Sequence, residues 1–96
     1  MKTYRSTLTD GTSATRKSKH DYTHAVWIRT TQQVIDAGGW PQRDIDEFRA
    51  NGGVWRAQRW TSRHDLAARD ATKWAALGYE VQIVTVEPVA IRTTAV

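Results

Sequence analysis

The residues of this chain that could do chemistry are three histidines, one tight group of carboxylates, and five tryptophans interleaved with arginines. His20 and His24 lie four apart with Asp21 between them, a spacing that suits a metal ion on a helix. Here HDYTH leads into a β-branched and aromatic run that reads as a strand. In a strand, residues four apart sit about 13 Å from each other, too far to share an ion. Asp44, Asp46 and Glu47 crowd one short segment, whereas two-metal chemistry needs carboxylates that converge from separate elements. The chain has no cysteine, which excludes disulfides, thiolate catalysis and cysteine-ligated zinc. It contains no G-x-S-x-G, S-x-x-K, P-loop or G-x-G-x-x-G pattern. The reading is therefore of a binding protein, with no catalytic residue, no cofactor and no metal.

Binding has better candidates. Trp60 and Trp74 are read as core, while Trp27 and Trp55 fall on a sheet face turned away from the main predicted helix, near Arg29, Arg56 and Arg59 in sequence. Tryptophan and arginine dominate interface hot spots and also form stacking platforms for unpaired bases. The expected protein interface comprises Trp27, Trp40, Trp55, Arg29 and Phe48. The bland alternative is that the segment 32–53 covers these tryptophans and leaves nothing to bind.

The net charge is +4, and its placement is uneven. Through Arg29 there are six bases against two carboxylates, and from residue 30 onward eight against eight. Such asymmetry favours a polyanionic partner. Arg5, Arg16, Lys17 and Lys19 are accordingly the expected contacts of a second reading, non-specific nucleic-acid binding.

The elements that must position these residues follow from local pattern. A basic β-hairpin is expected over residues 1–19, with Asp10-Gly11 as a two-residue type I′ turn that sets Arg5 opposite Arg16 and Tyr4 opposite Lys17. Apart from Tyr4 and Leu8 this hairpin offers little to bury. Residues 22–31 read as a strand with Tyr22, Val26 and Ile28 on one face and Ala25 and Trp27 on the other. Residues 54–61 read as its partner, with Val54 and Trp60 on one face and Trp55 and Ala57 on the other.

Between them, residues 32–53 form an excursion bracketed by two Gly-Gly pairs, with Pro41 opening a short helix and Asp44 and Glu47 as a capping box. In the last third, Ser62 and Asp65 form a second capping box. The helix after it carries Leu66, Ala67, Ala71, Trp74, Ala75 and Leu77 on one stripe, with Trp74 central and mostly buried. Asp70 intrudes on that stripe, and an arginine of the sheet is its expected partner. Gly78 ends the helix and YEVQIVTV follows as a strand. One domain of 96 residues results, of class α+β: an antiparallel-rich sheet of four to five strands, one main helix on one face, and a short helical excursion. The segment 54–87 is its strand-helix-strand unit. One helix covers one sheet face, so the second is expected to be covered by the excursion, a partner, or another copy in a homodimer.

TLTDGTSATRKSKHDYTHAVWIR, followed by VWRAQRWTSRHDLAARDATKWAALGYEVQIVTVEPV, resembles small uncharacterised proteins encoded by actinobacteriophages, mycobacteriophages especially. The resemblance covers both ends of the chain and not residues 32–53. It implies a non-structural accessory protein that binds a host bacterial protein, impairs host growth in some cases, and works in the cytoplasm of the infected cell. No apolar run approaches the about 18 residues of a membrane span, and MKTYRSTLTDG lacks the apolar core of a secretory leader. Both fit a cytoplasmic protein with no membrane partner.

Overall fold

Strand-forming runs at both ends of the chain build one sheet, and the middle supplies helices. The structure, a computed structural model, describes residues 1–89. The order is β1 (Lys2–Thr7), β2 (Ser13–Ser18), β3 (His24–Arg29), α1 (Gln32–Asp36), α2 (Gln42–Asn51), β4 (Arg56–Thr61), α3 (His64–Ala76) and β5 (Glu80–Pro88). The strands form an antiparallel five-stranded sheet in the order β2-β1-β5-β3-β4. This is the α+β architecture expected from the sequence. No helix among the described residues is long and apolar enough to cross a membrane.

β5 lies at the centre and serves two partners. Glu80 through Thr85 pair with β3, while Val86, Glu87 and Pro88 pair with Ser6, Arg5 and Tyr4 of β1. On one face Val26, Ile28 and Ala67 are buried, with Ala71, Trp74, Tyr79 and Val81 packed against them, so α3 covers this side. On the other face Tyr4, Leu8, Ala25, Trp27 and Val86 are buried, flanked by Tyr22, Trp55, Ala57, Trp60 and Val84.

That second face is covered by the N-terminal hairpin and not by the excursion. In a flat sheet of this order β2 and β4 would stand about 19 Å apart. Instead β2's Arg16 lies over the Tyr22 ring, 5.8 Å from its centroid, and Tyr22 meets the hairpin's Tyr4 and β4's Trp60 with ring centroids at 5.5 and 6.1 Å. The sheet therefore curls, and β1–β2 close over Trp27, whose indole Nε1–H donates to Ser6 Oγ at 2.9 Å. The hairpin buries Tyr4 and Leu8, the two residues expected to be its apolar contribution, and Ser6 besides, each no more than 4% exposed.

Two register effects make this possible. The Leu8 and Gly11 turn bond (Gly11 N–H to Leu8 O, 3.0 Å) and the Leu8 N–H to Thr12 O bond (2.8 Å) enclose a three-residue loop, with Gly11 at φ 92°. This is a type I turn closed by a left-handed glycine, and only the glycine needs positive φ. Compared with the expected type I′ turn, the register slips by one. Tyr4 faces Arg16, and Arg5 faces Thr15, so the anticipated Arg5–Arg16 repulsion does not arise. In β4 a bulge interrupts pairing with β3 between Val26 and Trp27: Trp60 opposes Ala25 while Ala57 opposes Trp27. The extra residue reverses the alternation, so Trp60 joins Trp55 and Ala57 on the Trp27 face, where strict alternation would separate them. Tyr22 precedes β3 and turns to this face as well.

The start of α3 also departs from expectation. Its N-cap is Arg63, with no side-chain cap bond. Thr61 Oγ1 accepts the Arg63 N–H at 3.1 Å, a local turn that delays the helix by a residue. Asp65 then pairs with the Arg63 guanidinium at 2.6 Å rather than capping the backbone. The end is as expected: with Gly78 at φ 98°, its N–H reaches Ala75 O at 3.0 Å and Tyr79 N–H reaches Trp74 O at 3.3 Å. That pair of bonds is a Schellman motif. The buried stripe is narrower than expected, with Ala67 and Asp70 inside, Trp74 half-buried and Leu77 exposed.

Candidate functional site

The sequence-predicted interface residues separate in the structure. Trp27 is 1% exposed and belongs to the core; it cannot present a docking surface. Trp55 is half-buried against that core, and the Arg29 guanidinium stacks over its ring at 4.8 Å while also pairing with Glu80. Arg29 and Trp55 thus brace one another across the sheet. Only Trp40 and Phe48 share a cavity, and both stand in the excursion.

The excursion has two parts. The first, α1, belongs to the scaffold: Thr31 caps it by accepting the Val34 N–H and donates its hydroxyl to Gly78 O at 2.6 Å, and Val34 and Ile35 are buried. This helix was not anticipated, because five residues show too little period to read. The second, α2, has no buried residue, and its apolar Ile45 and Phe48 are only half-covered. Its N-cap is Pro41, whose carbonyl accepts from Asp44 and Ile45 N–H at 3.0 and 3.2 Å. Asp44 is therefore in the first turn, where a carboxylate suits the helix dipole, rather than at the cap.

Between α1, α2 and the entry to β4 lies a cavity of about 310 Å³. Ile35, Trp40 and Phe48 form its apolar wall, and Asp44, Glu47 and Arg56 its charged rim. The indole of Trp40 is fixed by donation to Val34 O at 3.1 Å. Gly53 closes the base: a Cβ there would stand 2.1 Å from Thr30 O, so only glycine allows the chain to return this close to β3. Val54 beside it is 71% exposed. Residues 32–53 carry four carboxylates and two arginines, an acidic lobe on a basic protein.

A second cleft opens where the sheet edges approach. Arg16 of β2, Arg59 and Trp60 of β4, and Asp70, Lys73 and Trp74 of α3 line a cavity of about 300 Å³. Asp70, 8% exposed, is paired with Arg59 Nε at 3.3 Å and accepts the Trp74 indole N–H at 3.1 Å. The expected pairing of this intruding carboxylate with a sheet arginine is thus present. Of the four basic residues expected to meet nucleic acid, Arg16 alone enters the cleft, held over the Tyr22 ring at 5.8 Å. Arg5 and Lys17 lie on the outer hairpin face, and Lys19 lies exposed just beyond β2. The joining of Arg16 to Arg59 and Lys73 escapes sequence reasoning, because it depends on the curl and on the β4 bulge.

Histidine chemistry is not assembled. His24 and His64 meet ring to ring at 5.3 Å, and no group of three metal-ligating side chains occurs among the described residues. Comparison with known proteins finds no matching family model, no matching curated protein and no matching solved structure.

Proposed function

We propose that this chain is a non-catalytic binding protein that captures a protein partner through α2 and the Trp40–Phe48 cavity. The observation that supports this most directly is a ten-residue helix with no buried residue, standing beside an open cavity with two half-covered aromatics. An amphipathic helix usually draws its stability from the face it buries, so a helix left half-uncovered on both sides of its aromatic edge suits a partner. Trp40, pinned through its indole nitrogen, is pre-ordered for contact, which lowers the entropy lost on binding. The acidic rim and the excess of carboxylates in residues 32–53 favour an apolar segment flanked by lysine or arginine. The resemblance to phage accessory proteins suggests a bacterial host protein as the source of that segment.

Capture from nuclease-treated actinobacterial lysate tests the reading. The wild-type chain is expected to retain a discrete protein, and Phe48→Ala and Trp40→Ala to lose it while keeping the wild-type circular dichroism. A basic amphipathic peptide should compete and an acidic one should not. Retention unaffected by both substitutions would move the interface elsewhere.

A further inference from the structure

The cleft between β2, β4 and α3 is independent of the excursion and has the opposite charge. Three cations, Arg16, Arg59 and Lys73, face it with one carboxylate, Asp70. Both oxygens of Asp70 are already engaged, Oδ1 by Arg59 Nε at 3.3 Å and Oδ2 by the Trp74 indole N–H at 3.1 Å. Because Asp70 holds Arg59 by its Nε, the two terminal nitrogens of that guanidinium remain available to a ligand, and the side chain is 48% exposed. Among the described residues neither Arg16 nor Lys73 has a carboxylate within ion-pair distance. Arg16 lies over the Tyr22 ring at 5.8 Å and Lys73 over the Trp74 ring at 5.2 Å, and cations gathered around a partly enclosed space attract an anion into it.

We propose that this seam binds single-stranded nucleic acid, with one phosphodiester seated among Arg16, Arg59 and Lys73 and the adjoining base against Trp60. A cavity of about 300 Å³ stands at the lower end of small-ligand pockets, which run about 300–1,000 Å³, and has room for one nucleotide unit. The composition selects the ligand, since phosphate takes charge-assisted bonds from guanidinium and ammonium while an indole takes an unpaired base of any sequence. The path for a neighbouring phosphate continues on the α3 side. Arg69 borders an adjoining hollow together with Arg59 and Lys73.

The test is fluorescence anisotropy of a labelled oligothymidylate with the full chain. Affinity is expected to fall by an order of magnitude or more between about 50 and 200 mM salt, as several phosphate contacts require. Arg59→Gln and Lys73→Gln should each weaken binding and lower the salt slope by about one, while Arg43→Gln on the exposed side of α2 should not. Single strands of other sequence should compete well, and a duplex of equal length poorly. Absence of binding at low salt, indifference to both cleft substitutions, or equal competition by duplex would each overturn the assignment. Thymidine monophosphate competing as well as the oligonucleotide, at equal nucleotide concentration, would overturn it in favour of a mononucleotide site. Phe48→Ala leaves this experiment unchanged, so its outcome is separate from that of partner capture.

Discussion

At the scale of single residues, two serines have opposite weight. Ser6 is fully buried; its hydroxyl accepts from the Trp27 indole and donates to Thr85 O at 3.3 Å. It joins β1, β3 and β5 through one oxygen. Ser6→Ala should cost about 1–3 kcal/mol, the penalty for leaving a buried indole N–H without an acceptor, measured by urea denaturation. Ser62, which the sequence marks as a helix cap, is exposed and caps nothing. Ser62→Ala should change stability by less than about 0.5 kcal/mol in the same assay. Asp70 shows how far one residue can be read. Its intrusion on an apolar stripe announces a buried pairing, but Arg59 as the partner depends on the bulge that turns β4.

At the scale of elements, what was legible is what local chemistry decides. Gly78 ends α3 and a valine-rich strand follows, because a left-handed glycine and β-branched residues act through neighbours a few positions away. The hairpin was legible as a hairpin but misread in register, since Asp-Gly serves a two-residue and a three-residue loop equally well and only tertiary packing of Tyr4 and Leu8 chooses. The same packing predicts its response to pH. Tyr4 Oη donates to Asp21 Oδ1 at 2.8 Å, and Lys2 Nζ lies 3.3 Å from the same oxygen. The Tyr4 bond first, then Lys2, hold the Asp21 carboxyl below its ordinary range, and the bond to Asp21 raises the Tyr4 phenol. The Thr12 N–H depresses Asp10 similarly, and Arg63 depresses Asp65. For these carboxylates the unfolded chain binds protons first, so their stabilisation is present above about pH 4 and is lost as acid titrates the folded form. Tyr4 acts in reverse, its contribution intact below about pH 10 and lost above it. Asp21→Asn should therefore show a smaller loss of urea stability between neutral and acid pH than the wild type.

At the scale of the whole molecule, α2 stands apart from the scaffold, with no buried residue of its own, whereas α1 buries Val34 and Ile35. The excursion was expected either to bind or to cover the tryptophan face; the hairpin covers that face, so α2 is free of that duty. Replacing residues 40–52 by a short glycine-serine turn, with α1 kept, should leave a folded protein of unchanged near-ultraviolet signal from Trp27 that no longer captures its partner. Aggregation of that variant would instead show α2 to be structural. The curl of the sheet was the least legible feature, because it arises from side chains that meet across strands not paired with each other, Tyr4 with Tyr22 and Ser6 with Trp27. The same curl buries Tyr4, Leu8, Ala25, Trp27 and Val86 on the face that was expected to need a further cover.

The position of β5 has a consequence for how the chain acquires its structure. Tyr4 pairs with Pro88 and Ser6 with Val86, so the first strand waits for nearly the last described residues before it has a partner on its inner edge. During synthesis the early hairpin leaves the ribosome with its apolar side unsupported, and Trp27 follows without its cover. Closure over so long a separation is slow compared with local turns, and it joins both ends of the chain in one cooperative step. A chain ended after residue 83 should therefore fail as a unit, with no protected amides in the hairpin by hydrogen exchange, instead of losing only its final strand.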